Sequence, residues 1–295
     1  MLSRYSLFTF ILFFIMTMLV LYTQKILANE TFVITPLELQ TKLSSQPNSL
    51  LIYDVRSVEQ YNTEHIPQAI SFPFMSTYEK KNNGYYVKDK KHIESLLREH
   101  GITNDKMIVL YDDGSLFHAS RLYWVLALYG VKNIKIINGG LTLWKQQYST
   151  SKIKTDISNS EYIPILNSSI YANQVIAKIA SHNQDIYSLL DSRSYEEYIG
   201  ETSVTDKRGH IPNALFINLK DFFVELPNGV NWLKNIEYLK DNLSHIPRTK
   251  KIITYCNKGT ASGLSFLILK YAGYNVAHYD GSWIDWSLSD LPVEK

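Results

Sequence analysis

Leu51-Ile52-Tyr53-Asp54-Val55-Arg56-Ser57-Val58-Glu59-Gln60-Tyr61 returns later in the chain as Leu189-Leu190-Asp191-Ser192-Arg193-Ser194-Tyr195-Glu196-Glu197-Tyr198. Three further pairs follow in the same order. His65-Ile66-Pro67-Gln68-Ala69 matches His210-Ile211-Pro212-Asn213-Ala214, and Ile108–Asp112 (IVLYD) matches Ile252–Cys256 (IITYC). Asn138–Trp144 (NGGLTLW) matches Asp280–Trp286 (DGSWIDW). Taken at Asp54, His65, Tyr111 and Asn138, the offsets are 137, 145, 144 and 142 residues, so the second copy carries eight extra residues before its His-Ile-Pro. Ordered self-similarity at one long offset marks a duplication. Domain one is expected over about Thr31–Tyr148 and domain two over about Ser168–Lys295. The polar stretch Ser149–Asn167 (STSKIKTDISNSEYIPILN) carries little helical periodicity and reads as a surface linker.

Inside each copy, short apolar runs alternate with helical patterns. Leu50–Asp54, Met107–Tyr111, Ile134–Ile137 and Lys250–Tyr255 read as buried strands, and Leu116–Leu128 and Ser262–Ala272 as helices with broad apolar faces. Strand–helix alternation implies a parallel β-sheet flanked by helices on both faces, joined by right-handed crossovers. The fold class is therefore α/β, two such domains in tandem. A length of 295 residues fits two domains, and 45% hydrophobic against 20% charged residues is globular. The formal net charge of +2, without a Lys/Arg stripe interleaved with aromatics, argues against nucleic acid as a partner.

The N-terminus differs from the rest. Arg4 precedes Tyr5–Tyr22 (YSLFTFILFFIMTMLVLY), which is uncharged, and Lys25-Ile26-Leu27-Ala28 leads into polar Asn29-Glu30. A basic start, an apolar run and a small residue before a polar stretch describe a secretory signal over residues 1–28, cleaved after Ala28. The run is near the lower limit for crossing a bilayer, so a retained membrane anchor is the competing reading. Both place the remainder outside the cytoplasm, in a periplasmic or similar compartment, and a membrane is a partner only if the segment stays.

Cys256 is the single cysteine, so no internal disulfide can form, and an exported free thiol is a liability unless it is used. The plainer reading is an inert buried thiol. Position decides between them. In parallel α/β sheets, sites form beyond the carboxyl ends of strands, and Cys256 stands there, followed by Asn257-Lys258-Gly259-Thr260-Ala261 and a helix. Gly259 lets successive N–H groups turn inward as an anion nest, the helix start adds partial positive charge, and Lys258 adds a full one. Such surroundings favour thiolate over thiol. The same cradle would hold a small anionic sulfur donor.

The ordered set Asp-x-Arg, Gly-His-Ile-Pro, Tyr-Cys-x-x-Gly and Tyr279-Asp-Gly-Ser-Trp283-x-x-Trp286, ending near Leu291-Pro-Val-Glu294, resembles tandem-domain rhodaneses across nearly the whole mature chain. Tyr111-Asp112-Asp113-Gly114 through Arg121-x-x-Trp124 resembles their non-catalytic first domain, in which Asp replaces Cys. The resemblance implies sulfur transfer by double displacement. Cys256 would take the outer sulfur of a donor such as thiosulfate, become a persulfide, and pass that sulfur to a thiol or cyanide, with no cofactor and no metal. Asp112 and Asp113 cannot accept sulfane sulfur, so domain one is structural or a wall of the cleft.

Departures from the family bear on the donor. Thiosulfate-using relatives carry a basic residue where this loop has Asn257. They also place an arginine where this chain has Glu197, which sets a carboxylate near an anionic donor. Arg208 is a candidate to compensate, with a solvated loop charge as the plainer reading. The sixth loop position, often Thr or Arg, is Ala261, so one side-chain hydrogen bond to the loop is expected to be missing. Asp191 and Arg193 recur as Asp54 and Arg56 beside no nucleophile, so they read as loop braces. His210 recurs as His65 and reads as turn scaffolding. Two other functions compete: a persulfide carrier or binding module that turns over poorly, and, more remotely, a phosphatase of this fold. The phosphatase needs Cys-x5-Arg, whereas Ser262 stands at the arginine position.

Overall fold

The computed structural model describes residues 32–81 and 84–295, and the N-terminal apolar segment read as a signal or anchor lies outside them. The first half runs β1 (Val33–Ile34), α1 (Pro36–Ser45), β2 (Leu50–Asp54), α2 (Val58–Thr63), β3 (Ile70–Ser71), β4 (Tyr78–Lys81), β5 (Gly84–Val87), α3 (Lys90–Glu99), β6 (Met107–Tyr111), α4 (Phe117–Leu128), β7 (Ile134–Ile137) and α5 (Gly140–Trp144). The second half repeats that order. It runs β8 (Tyr171–Ala172), α6 (Gln174–His182), β9 (Tyr187–Asp191), α7 (Tyr195–Tyr198), β10 (Ala214–Phe216), β11 (Phe223–Leu226), β12 (Val230–Leu233), α8 (Ile236–Asn242), β13 (Lys251–Tyr255), α9 (Thr260–Tyr271), β14 (Val276–Tyr279) and α10 (Ser282–Ser287).

Each half forms a five-stranded parallel sheet, ordered β1-β7-β6-β2-β3 and β8-β14-β13-β9-β10, so the expected α/β tandem is what the chain adopts. Every residue of β2 is buried, as a parallel strand covered on both faces requires. Ile52, Val109, Tyr111 and Trp144 share the first core, and their counterparts Leu189, Ile253, Tyr255 and Trp286 the second. Residues 152–167 hold neither helix nor strand, and their backbone ties to the first half through Ser160 N–H to Arg98 O (3.0 Å) and Asn167 N–H to Leu128 O (2.7 Å).

The repeated Asp-x-Arg has one geometry in both copies. Arg193 Nη2 donates to Asp191 Oδ2 (2.6 Å) and to the Gly209 carbonyl (2.7 Å); Arg56 does the same to Asp54 (2.6 Å) and Glu64 (2.7 Å). Tyr255 and Tyr111 donate from their hydroxyls to those aspartates, each at 2.8 Å. Burial first, and the adjacent aspartate second, push both phenols well above their ordinary value, so they remain protonated donors. His210 and His65 stack on Tyr198 and Tyr61 at 3.9 Å and each bonds the carbonyl of that tyrosine at 2.8 Å.

The halves are joined by their most apolar helices. Residues 262–269 of α9 are all buried, and so is most of α4. A helix apolar on every side needs cover all round, and the two pack on each other. A Cβ on Gly263 would lie 3.2 Å from Arg121 Cα, so glycine permits this close approach. Equivalent residues then reach across. Asn138 exchanges hydrogen bonds with the Leu233 backbone in the β11–β12 hairpin (Oδ1 accepting at 2.9 Å, Nδ2 donating at 3.3 Å). Its counterpart Asp280 accepts from Val87 N–H in the β4–β5 hairpin (2.8 Å).

Candidate active site

β13 delivers Cys256 to the carboxyl edge of the second sheet. Behind it, the first turn of α10 fixes the loop: Trp283 N–H donates to the Cys256 carbonyl (2.8 Å) and Ile284 N–H to that of Asn257 (3.2 Å). Gly259 turns the chain with φ +85°, and a Cβ there would meet Arg121 Nη1 at 2.9 Å and the Asp280 carbonyl at 3.1 Å. The position is closed to any side chain. Because of this left-handed turn, α9 starts at Thr260, two residues earlier than the expected Ser262, and its first turn lies closer to the sulfur.

Cys256 is 4% exposed, at the floor of a cleft of about 450 Å³. Its Sγ accepts from Gly259 N–H (3.2 Å) and from the Ser262 hydroxyl (3.3 Å). The side-chain bond expected to be lost at Ala261 is thus supplied one position later, from the first turn of the helix. In the sequence Ser262 stands only as a helix start and as the residue that excludes a phosphatase loop, with no role toward the sulfur. A small polar residue opening an otherwise apolar helix was the signal available.

Asn257, Lys258, Thr260, Ala261, Glu197 and Arg193 line the cleft. Glu197 is held there twice: Oε1 accepts from Asn257 Nδ2 (2.8 Å) and Oε2 from Ser194 N–H (3.1 Å). Lys258 is exposed, and its ammonium stands 5.3 Å from the centre of the Tyr85 ring, which the first half contributes. Arg193 Nη1 is buried and has no hydrogen-bond partner among the described residues, while its guanidinium lies 4.1 Å from the Trp283 ring. Arg208 is not among the residues that line this cleft, in keeping with its plainer reading as a solvated loop charge. It is exposed and donates to the Glu201 carbonyl (2.7 Å), because the segment after α7 carries it outward. Tyr279, Trp283 and Trp286 are fully buried and belong to the core. An adjoining cleft of about 530 Å³ shares Arg193 and Ala261 and is walled by Phe216 and, from the first half, Phe117.

In the first half the corresponding position is occupied by a carboxyl group of the chain itself, whose pKa is pushed up by burial first and by Asp113 second. The Asp112 carboxylate accepts backbone N–H groups from Gly114 (2.9 Å), Leu116 (3.1 Å), His118 (3.2 Å) and Ala119 (3.3 Å). A strand end feeding a helix start makes an anion cradle in both copies.

Rhodanese-like domain models match residues 35–147 and 172–289. A thiosulfate sulfurtransferase of Azotobacter vinelandii is 29% identical over 276 residues, covering 90% of this chain and 98% of its own. A 3-mercaptopyruvate sulfurtransferase of Escherichia coli K12 is 26% identical over 250 residues, covering 82% and 87%. The solved structure of wild-type EanB superposes with a TM-score of 0.77 at 21% identity, over 89% of this chain and 69% of that one, which speaks to the fold. The chain belongs to the rhodanese-like family, as a member with two domains in tandem. Within that family it is a sulfurtransferase of the rhodanese type.

Proposed function

We propose that Cys256 carries sulfane sulfur from a small anionic donor, such as thiosulfate, to a thiol or cyanide. One observation carries this reading: the single thiol lies at a cleft floor with two donors aimed at its sulfur, Gly259 N–H and the Ser262 hydroxyl. In the first half-reaction the thiolate attacks the outer sulfur of thiosulfate, a new S–S bond forms, and sulfite departs with the electron pair of the broken one. In the second, the acceptor attacks the outer persulfide sulfur and Cys256 leaves as thiolate. This is covalent catalysis by an activated nucleophile, and the two donors are placed to hold Sγ as the thiolate that attacks and the thiolate that leaves. Lys258, exposed at the cleft, supports an anionic donor.

Intact-mass measurement after incubation with thiosulfate tests it. The expected result is a gain of one sulfur atom, lost again on adding cyanide with thiocyanate released, and no gain in Cys256→Ser, whose hydroxyl is not ionised at neutral pH. Sulfur gain by the Cys256→Ser variant would overturn the assignment. Loading without discharge to cyanide or any thiol would identify a carrier instead.

A further inference from the structure

The geometry points to a directional hydrogen-bond chain, Arg121 to His278 to Ser262 to the sulfur of Cys256, that makes Ser262 a catalytic residue and lets the first half act on the nucleophile of the second. The inference rests on the role proposed for Cys256.

The polarity of the chain follows link by link. Arg121, on α4 of the first half, is fully buried, and its Nη2 pairs with Asp280 Oδ1 at 2.5 Å. Its guanidinium sits 4.5 Å from the ring centres of both Tyr78 and Trp124. Arg121 Nη1 faces His278 Nδ1 at 3.4 Å. A guanidinium only donates, so Nδ1 must accept. His278 is fully buried, and burial first, then the charge of Arg121, hold its pKa well below the ordinary histidine value, so the ring is neutral at pH 7. A neutral imidazole carries one proton, which must therefore be on Nε2. The other side of the ring agrees independently: Nε2 lies 3.1 Å from the Gly259 carbonyl, which can only accept.

Nε2 is also 2.8 Å from Ser262 Oγ. Since Nε2–H donates there, the hydroxyl proton of Ser262 is directed to its other neighbour, Cys256 Sγ at 3.3 Å. Each donor in such a chain polarises the next, and a low-dielectric setting strengthens the effect. The Cys256 thiolate is the acceptor at the end. Charged groups around His278 are Arg121 and Asp280, the latter already engaged by Arg121 and Val87 N–H. Ser262 touches the reacting atom; His278 and Arg121 are positioning residues.

Ser262→Ala tests the last link with little risk to the fold, since alanine is the stronger helix former. A hydrogen bond to an ionised group is lost, so alkylation of Cys256 at pH 7 should slow roughly tenfold or more and its pH profile should move upward, with Tm nearly unchanged. Ser262→Thr, which keeps a hydroxyl, should retain most of the wild-type rate. His278→Gln offers an amide N–H near the Nε2 position and should be milder than His278→Leu at matched Tm. Nitrogen-15 shifts of His278 should report the Nε2–H tautomer. Wild-type alkylation rates in Ser262→Ala, or a His278 protonated on Nδ1, would overturn the chain. Alkylation and tautomer remain readable if wild-type protein takes no sulfur from thiosulfate, in which case the donor reading fails and the chain is judged separately.

Discussion

Glu197 brings a carboxylate to the lining of the cleft, and its replacement tests whether the cleft reads donor charge. Its carboxylate has two tasks, closing the capping box on Ser194 and accepting from Asn257. The first does not need the charge, because Gln60 closes the same box on Ser57 in the first half. Glu197→Gln therefore removes one negative charge and leaves the start of α7 in place, whereas Glu197→Arg would also break both hydrogen bonds. A cleft of about 450 Å³ is roughly 9.5 Å across if treated as a sphere, so a donor at its centre lies about 5 Å from the wall. At about 5 Å, two unit charges repel by about 0.8 kcal/mol in water-like surroundings and about 1.7 kcal/mol at half that dielectric. Per unit of donor charge this is about 4- to 18-fold in affinity. Glu197 is half-buried, which favours the lower figure. Steady-state kinetics with thiosulfate as donor and cyanide as acceptor should show KM falling at least about fourfold at low salt, and the gain should fade as the Debye length shrinks to about 3 Å near 1 M. A KM that is unchanged or higher in Glu197→Gln at low salt would show that the carboxylate does not face the donor, and the charge argument would fail with it.

Two further outcomes follow from sites away from the cleft. Asp112→Cys, made in a Cys256→Ser background, should gain no sulfur from thiosulfate, because that loop is sealed: Gly114 packs on the Gly139 carbonyl, its own carbonyl accepts Asn231 N–H (3.0 Å), and Asp112 is fully buried. A mass gain at position 112 would mean the first cradle is reachable. For pH, His278 has a folded-state pKa well below the ordinary value of 6.5, and that of His100 is also lowered, in both cases chiefly by burial. The unfolded chain thus binds more protons below about pH 6.5, so stability present above that value is lost as pH falls, at up to about 1.4 kcal/mol per unit for a fully buried histidine. Urea unfolding between about pH 6.5 and 5.5, above the ordinary carboxylate range, should show this slope, and a flat profile would place a charged His278 in the native state.

The strands Leu50–Asp54, Met107–Tyr111 and Ile134–Ile137 were legible residue by residue, because strands of a parallel sheet are apolar on both faces and end sharply at polar turns. The β4–β5 and β11–β12 hairpins were not: they are short, partly exposed, and take their place from contacts across the two halves. The same limit applies at the site. Cys256, Gly259 and Lys258 are neighbours in sequence, so their loop could be read from it. Arg121, His278 and Ser262 lie 157 and 16 residues apart and meet only once α4 and α9 have packed. Each did leave a trace, as a polar residue within an apolar run, but such a residue alone does not say what it faces.

The contact between α4 and α9 also alters what the duplication means. Two copies joined by a linker suggest modules that could drift apart, be reordered or be traded. Here each copy has a helix that its own sheet covers on one side only, and each hairpin bonds the neighbour's loop. Parting the two halves would take Arg121 away from His278 and Asp280, the residues it bonds behind the loop. The copy that holds no thiol thus supplies cover and bonds that the thiol-bearing copy lacks on its own.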